Sequence, residues 1–514
     1  MQAVNNQDRM YGYMGQWLNN RIVVYWCVAI CSGLLSLYRI SARDLINGDG
    51  ILYIDVAKAF LNGGVSGAID VYHWPFYGIL IGLLHRLTGL SFEYSAGLLN
   101  TIFMMLACVV FVRIYEEISG KEARIQVAAI LILALPVLND YRELAIRGHG
   151  FWAFMLLALY CFIQYSRSPD LKNALKWQLG IMVAILFRLE GLAFLVLAPF
   201  CFLLIAEERR RIVTHLLRLN GLFILLATVV VTFMLVSGAL TFPSSLEIPY
   251  QLDYISPMAL IGAIDTEAEI MYARNELMTS ADDARLILAS GALMLVVVKV
   301  ALNAGLPFLA VWGYGVQRKW LKLTRESGIV AYFAVTGFLV LIAVVGNYFF
   351  LSSRYTVLTV LLISLIAFQY VDYLLRDLSR HQLHKWKIAA WVFILVLFLD
   401  GVISGGASKQ NIRVAGEWLK SEIAVEEKIA CNEARLEFYS DDRCKWISFR
   451  GRSPSDAIND LKKEGYTYFM FWISRKDEQL QSTVDGDTGL LLVKEFLNKS
   501  GNSVRFYRVD SVSH

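Results

Sequence analysis

The feature that most constrains this chain is the recurrence of long apolar runs. They fall near residues 22–38, 95–115, 125–138, 150–165, 177–189, 191–206, 217–236, 303–316, 329–347, 355–371 and 389–402. Each holds roughly 14 to 21 mainly apolar residues, close to what is needed to span about 30 Å of hydrocarbon. Apolar types make up 57% of the 514 residues and charged types only 18%, too little polar surface to keep so much apolar sequence in water. The sequence therefore predicts a polytopic α-helical membrane protein with about eleven transmembrane helices. The net charge of +4 does not suit a nucleic-acid partner, because the basic residues sit in short clusters between the runs.

Those clusters set the expected topology. The connections holding Arg113, Lys121 and Arg124, then Arg167, Lys172 and Lys176, then Arg209, Arg210, Arg211 and Arg218, alternate with connections poor in Lys and Arg. So do the later ones around Arg318, Lys319, Lys322 and Arg325, and around Arg376, Arg380, Lys385 and Lys387. By the positive-inside rule these five are cytoplasmic, which puts the N-terminus inside and the C-terminal portion outside. No cleavable leader is expected. Residues 286–316 are apolar for about thirty positions, too many for one upright helix, and 286–302 is read as lying along the outer interface.

Two domains are expected: a membrane part over 1–402 and a soluble α/β domain over 403–514 on the outer side. The tail reads as NIRVAGEWLKSEI (helix), EKIAC (strand), SPSDAINDLKKEG (helix capped by Ser453 or Ser455), then the strands TYFMFWI and VRFYRV. The membrane part carries outer loops at about 39–94, 139–149 and 237–285. In the first, one interfacial helix is expected from Asp49 to Asn62, a loop through Asp70, and a second helix after His73-Trp74-Pro75. The third holds Asp265, Glu267 and Glu269 and reads as a long ordered loop or a lid. An odd span count without an internal repeat weighs against an inverted-repeat transporter. There is no nucleotide-binding glycine pattern and no cysteine or histidine spacing that indicates a metal.

Charged and aromatic residues concentrate in the outer segments. Asp49, with Asp44 and Asp55 nearby, follows the first span, and Tyr53 stands one helical turn after Asp49 on the same face. NDYRELAIRGHG packs Asp140, Arg142, Glu143, Arg147 and His149 between two apolar runs. FRLEGLAFL sets Arg188 and Glu190 at a turn of headgroup depth, where a cation suits a lipid phosphate or a mutual ion pair. FFLSSRYTVL puts Arg354 and Tyr355 at the outer start of the tenth span. Lys299, inside an apolar run, is either interfacial or aimed at an anion. His73 is a further candidate beside Trp74. Cys431 and Cys444 fall in the outer tail, where they are expected to pair as a disulfide; the other five cysteines lie in predicted spans.

The order NGDGILYIDVAKAFLNGG, YHWPFYGILIGLLHRLTG, FRLEGLAFL and SSRYTVLTVLL, ending in a soluble outer tail, resembles the GT-C superfamily of membrane glycosyltransferases. It is most similar to the branch of protein O-mannosyltransferases and the lipid A aminoarabinose transferase. RLEG corresponds to the family's Arg-x-Glu-Gly, with Leu189 where proline is frequent, and Gly50 follows Asp49 where many members carry a second acid.

The resemblance implies transfer of a sugar from a polyprenyl-phosphate donor to an acceptor on the outer face, with inversion, and needs no cofactor or divalent metal. The acceptor is a protein, lipid or glycan. Asp49 is expected to act as general base, with Asp140 and Glu143 as the other candidates. Arg188, aided by Arg354 or Lys299, holds the leaving phosphate. The location implied is a bacterial inner membrane. A transporter or flippase of lipid-linked sugars is the alternative, although it has no evident need of a soluble outer domain of about 110 residues.

Overall fold

A computed structural model describes residues 20–120, 124–205, 208–236, 257–274, 280–321, 324–403, 408–423, 427–449 and 451–510. The chain divides into two compact units, one of Met1–Ile40 with Val56–Ile403 and one of Ser41–Asp55 with Ser404–His514.

The first unit is helical. Among the described residues seven helices are long and apolar enough to cross a membrane: Arg21–Ala42, Phe92–Ser119, Arg209–Val229, Ala281–Ala304, Arg325–Tyr348, Ser353–Arg380 and His384–Ile403. The protein is thus an integral membrane protein. The other expected runs are helical but shorter or interrupted. Residues 125–138 break into Ile125–Leu133 and Pro136–Asp140, since Pro136 has no N–H to continue the first helix but suits the first turn of the next. Residues 191–206 change from an α-helix to a 3-10 helix at Ala198, beside Pro199.

Ser353–Arg380 is central, packing against helices Phe92–Ser119, Gly148–Arg167, Ala281–Ala304, Leu306–Gln317, Arg325–Tyr348 and His384–Ile403. Gly148–Arg167 is enclosed by Phe92–Ser119 and Leu171–Phe187, with Trp152, Phe162 and Tyr165 fully buried. In hydrocarbon such close side-chain packing, and not exclusion from water, holds helices together.

Two local expectations are corrected. Within 286–316 the long helix is Ala281–Ala304, and the expected span 303–316 is the 12-residue helix Leu306–Gln317, about 18 Å long. The two meet at Gly305, whose φ of +86° lies in the left-handed region that glycine tolerates best. In the first expected loop region the helix from Gly48 breaks at Gly64 (φ +66°, ψ −156°), close to its expected end at Asn62, and a second helical stretch, where a loop is expected, runs through Asp70 to Val71. The helix expected after Pro75 is Phe76–Thr88. In the third expected loop region, helix Pro257–Arg274 holds Asp265, Glu267 and Glu269. Arg285 ties it to the next helix through Asp265 (2.8 Å), Glu269 (3.4 Å) and Asp282 (2.6 Å). The rest of the expected loop or lid, 237–256 and 275–279, lies outside the described residues.

The second unit is α/β. Its five strands, β1 Ile429–Cys431, β2 Cys444–Trp446, β3 Tyr468–Ile473, β4 Leu490–Leu497 and β5 Ser503–Val509, are ordered β2-β1-β3-β5-β4. β2, β1 and β3 run parallel, whereas β5 is antiparallel to both β3 and β4. Strand alternation divides the core between the two faces. Ile429, Cys431 and Met470 pack with Ile412, Ala415 and Leu419 of helix Gln410–Glu422, while Ala430, Phe469 and Phe471 pack with Ile458 and Leu480 of the helices on the other face. Ser453 caps helix Pro454–Lys463 by accepting from the Asp456 N–H. Short elements the sequence reading lacks are helices Ala434–Tyr439 and Glu478–Gly486 and strands β2 and β4.

Ser41–Asp55 folds with this unit. The Ile46 N–H donates to the Tyr439 hydroxyl at 2.9 Å, the Lys409 N–H donates to Asp44 Oδ2 at 3.0 Å, and Leu45 packs on the core. Cys431 and Cys444 are buried, with their sulfurs 2.7 Å apart.

Candidate functional site

Helix Leu171–Phe187 ends at Arg188, whose backbone is extended (φ −151°, ψ 131°). A tight turn follows, with the Gly191 N–H on Arg188 O at 3.2 Å and the Leu192 N–H on Leu189 O at 2.9 Å. The turn brings Arg188 and Glu190 side by side. Arg188 is 6% exposed, donates from Nε to Glu190 Oε1 at 3.1 Å and pairs with the same carboxylate through Nη2. Its guanidinium also stacks over the rings of Tyr355 at 4.3 Å and Phe151 at 5.5 Å, which adds a cation–π attraction. Burial pushes the Glu190 carboxyl up, but the Arg188 charge, helped by Arg147, outweighs it and holds the carboxyl below the usual carboxylate range.

Arg188, Glu190 and Tyr355 form one end of a small cavity that is partly open to solvent. Its walls are apolar: Phe194 on one side, Val340, Leu341 and Val344 from helix Arg325–Tyr348, and Leu358 from helix Ser353–Arg380. Gly337 and Thr359 also line it. A sleeve of hydrocarbon side chains with a cation and an anion at its polar end suits an amphiphile carrying a charged head.

Further sequence candidates lie near this end. Arg354 stands over Tyr355 at 5.5 Å. Arg147 stands over Tyr72 at 5.7 Å and acts on the Glu190 carboxylate. The segment from His73 braces the turn: Trp74 Nε1 donates to Leu186 O at 2.7 Å, and Phe76 meets Phe187 edge-on at 5.0 Å. Lys299 is half-buried and has no ion pair among the described residues. One turn on, Asn303 donates to Thr356 Oγ1 at 2.7 Å, so this face of the helix is directed toward the Arg354-Tyr355 end of the central helix.

The other charged loop is organised differently. Arg142, 1% exposed, donates to Asn139 Oδ1 (2.7 Å), Ser32 O (3.0 Å), Ser32 Oγ (3.0 Å) and Ser36 Oγ (2.9 Å). Glu143 pairs with Arg39 at 2.8 Å. The buried His149 sets its two ring nitrogens against Tyr141 O (2.9 Å) and Ile146 O (3.2 Å). Asp140 is exposed at the end of its short helix. None of these four lines the cavity.

Asp49, Tyr53 and Asp55 belong to the second unit, where Asp49 occupies the first turn of helix Gly48–Val71, half-buried, and Tyr53 is buried. Among the described residues no group of three His, Cys, Asp or Glu side chains could hold a metal ion. Sequence reasoning missed Phe151, Phe194, Gly337 and Thr359 as cavity residues. Thr359, one turn after Tyr355, was within reach of helical periodicity; Gly337 carries no such signal.

No family model matches the sequence, and no curated protein matches it. Solved structures do. ArnT from Cupriavidus metallidurans bound to undecaprenyl phosphate is 12% identical, superposes with a TM-score of 0.55, and the match covers 94% of this chain and 97% of that one. The apo form of the same protein is 14% identical over the same shares, with a TM-score of 0.44. The chain thus shares the fold of ArnT over nearly its whole length.

Proposed function

We propose that the protein transfers a sugar from a polyprenyl-phosphate donor to a hydroxyl or amine of a protein, lipid or glycan acceptor, with inversion, on the outer face of a bacterial inner membrane. The observation that carries this reading is the apolar cavity closed at one end by Arg188, Glu190 and Tyr355. Isoprene units match its walls and a phosphate matches Arg188. The solved neighbour of the same fold, bound to undecaprenyl phosphate, supports a lipid-phosphate ligand of this kind.

In this reading Asp49 takes the acceptor proton as the acceptor atom bonds to the anomeric carbon. The bond from that carbon to the phosphate oxygen breaks, and the polyprenyl phosphate leaves with the electron pair, its charge held by Arg188 with Arg354 and Lys299. Glu190 and Arg147 orient Arg188. The N-terminus is cytoplasmic and the C-terminal unit periplasmic.

The test is to incubate purified protein with candidate polyprenyl-phosphate sugars and acceptors and to identify products by mass spectrometry. Asp49→Asn is expected to keep donor binding while turnover falls by about 10²–10⁴, the usual worth of a general base. If Asp49→Asn keeps its turnover and an Asp140 or Glu143 substitution abolishes it, the base lies in the second outer loop. Absence of any transfer product, with transport of the intact donor instead, would replace the transferase by a flippase.

We also read Cys431 and Cys444 as a disulfide in the periplasm, formed by exchange with an oxidising protein disulfide that takes up the two electrons and two protons. Its closed loop would contribute roughly 3 kcal/mol on the chain-entropy account. Alkylation of both thiols in intact, non-reduced protein would exclude it.

A further inference from the structure

The sheet unit has one pole that the chain itself tethers to the membrane. Helices Arg21–Ala42 and His384–Ile403, both long and apolar enough to cross a bilayer, end side by side, since Arg39 donates to Val402 O at 3.1 Å. Asp44 follows the first helix by two residues and Ser408 follows the second by five, so covalent reach alone keeps them within about 7 and 18 Å of those ends. In the sheet unit the two segments meet: the Lys409 N–H donates to Asp44 Oδ2 at 3.0 Å.

The turn that joins β4 to β5, residues 498–502, lies at the same pole. Asn498 donates from Nδ2 to Ser408 O at 2.8 Å, and its Oδ1 accepts from the N–H groups of Ser500 and Asn502, both at 2.9 Å. Asn502 Oδ1 accepts from the Arg475 N–H at 3.0 Å. The turn is thus fastened both to the segment that leaves the last long helix and to the loop after β3. Around it stand Lys409, Arg475 and Lys499, all exposed and without an ion pair among the described residues, and Leu497, 66% exposed. The carboxylates of Asp44 and Asp477 close by are engaged by the backbone N–H groups of Lys409 and Leu480.

Three unpaired cations and an uncovered leucine on a fixed turn suit one kind of surface. The potential of an anionic bilayer attracts Lys and Arg held within about a Debye length of it, and an apolar side chain gains by entering the boundary between headgroups and acyl chains. We propose that this pole is a docking surface for anionic lipid: Lys409, Arg475 and Lys499 rest on the headgroups and Leu497 enters them. Docking of this kind orients the sheet unit on the bilayer through lipid, and it does not depend on the donor reading above.

The experiment places the photoreactive residue p-benzoylphenylalanine at position 497 of the full-length protein or, as a control, at position 463. Lys463 is exposed and precedes the opposite end of β3, a strand about 20 Å long. The protein is reconstituted into nanodiscs of phosphatidylcholine or of an equal mixture with phosphatidylglycerol, irradiated, and its adducts are measured by mass spectrometry. In the anionic discs the expected yield of lipid adducts at 497 is about tenfold or more that at 463. It falls about threefold or more in phosphatidylcholine, and likewise in the variant Lys409→Gln/Arg475→Gln/Lys499→Gln. That variant keeps the backbone N–H groups that fasten the pole, and the comparison of the two lipid compositions needs no variant. Equal lipid yields at the two positions overturn the proposal, as does a yield at 497 indifferent to lipid charge. Adducts to protein in place of lipid at 497 also overturn it, since they show that the pole is covered by this chain or by a second copy.

Discussion

Two charged segments of the helical unit, Asp140–His149 and Arg188–Glu190, look alike in sequence, each setting charges of both signs beside apolar runs. The structure uses them in opposite ways. In the first segment Arg142 is enclosed by Asn139, Ser32 and Ser36, Glu143 is joined to Arg39, and His149 lies between backbone carbonyls. In the second, Arg188 pairs with Glu190, yet both still line a cavity. Dense charge beside a membrane therefore does not by itself identify a site. What matters is whether the charge retains a face toward empty volume after its internal partners are made.

The sharpest way to break this comparison is at Arg142. Arg142→Leu removes the donor to three side-chain oxygens and a carbonyl and leaves them buried, so stability should fall by about 3 kcal/mol or more. Thermal unfolding in detergent and the yield of monodisperse protein would register it. A well-folded Arg142→Leu protein that has lost donor binding would show that the first segment, and not the second, serves the ligand.

Arg188→Ala should do the reverse. Loss of a charge-assisted bond to a phosphate is worth about 1.5–3 kcal/mol, so affinity for a polyprenyl phosphate should fall roughly ten- to a hundredfold. Because Glu190 would be left without its partner, the double variant Arg188→Ala/Glu190→Gln is the cleaner measurement, and it should melt close to the wild type. If affinity is unchanged in the double variant, the pair only staples the turn.

The smallest effect expected is in pH dependence. Glu190 is held below the ordinary carboxylate range, so the folded state binds its proton more weakly than the unfolded chain does. Its contribution is then complete above the unfolded carboxylate pKa and is lost as pH falls through the lower folded value. Glu190→Gln should flatten the acid limb of a stability-against-pH curve and leave the neutral limb nearly level. A wild-type acid limb that Glu190→Gln does not change would locate the acid sensitivity elsewhere.

Much of the architecture was legible in the chain. Apolar runs of membrane length, the change to soluble composition near residue 403, and the strand patterns of EKIAC and TYFMFWI all reappear as elements, because burial in hydrocarbon and strand alternation leave a direct imprint on residue order. The short β2 and the exposed β4 leave almost none; β4 is solvent-facing along most of its length, so no alternation records it.

For the site, sequence alone determined the residue types and which helix ends they occupy: Arg188 and Glu190 at a turn, Tyr355 and Arg354 at the start of a long helix. The tertiary structure decided the rest. It set Tyr355 against Arg188 across more than 160 residues, enclosed Arg142, grouped Asp49 with the C-terminal unit, and brought Gly337 and Thr359 of facing helices into close approach. Those outcomes depend on how closely non-neighbouring helices approach. That distance is fixed by the packing of many side chains at once, so no short stretch of sequence contains it.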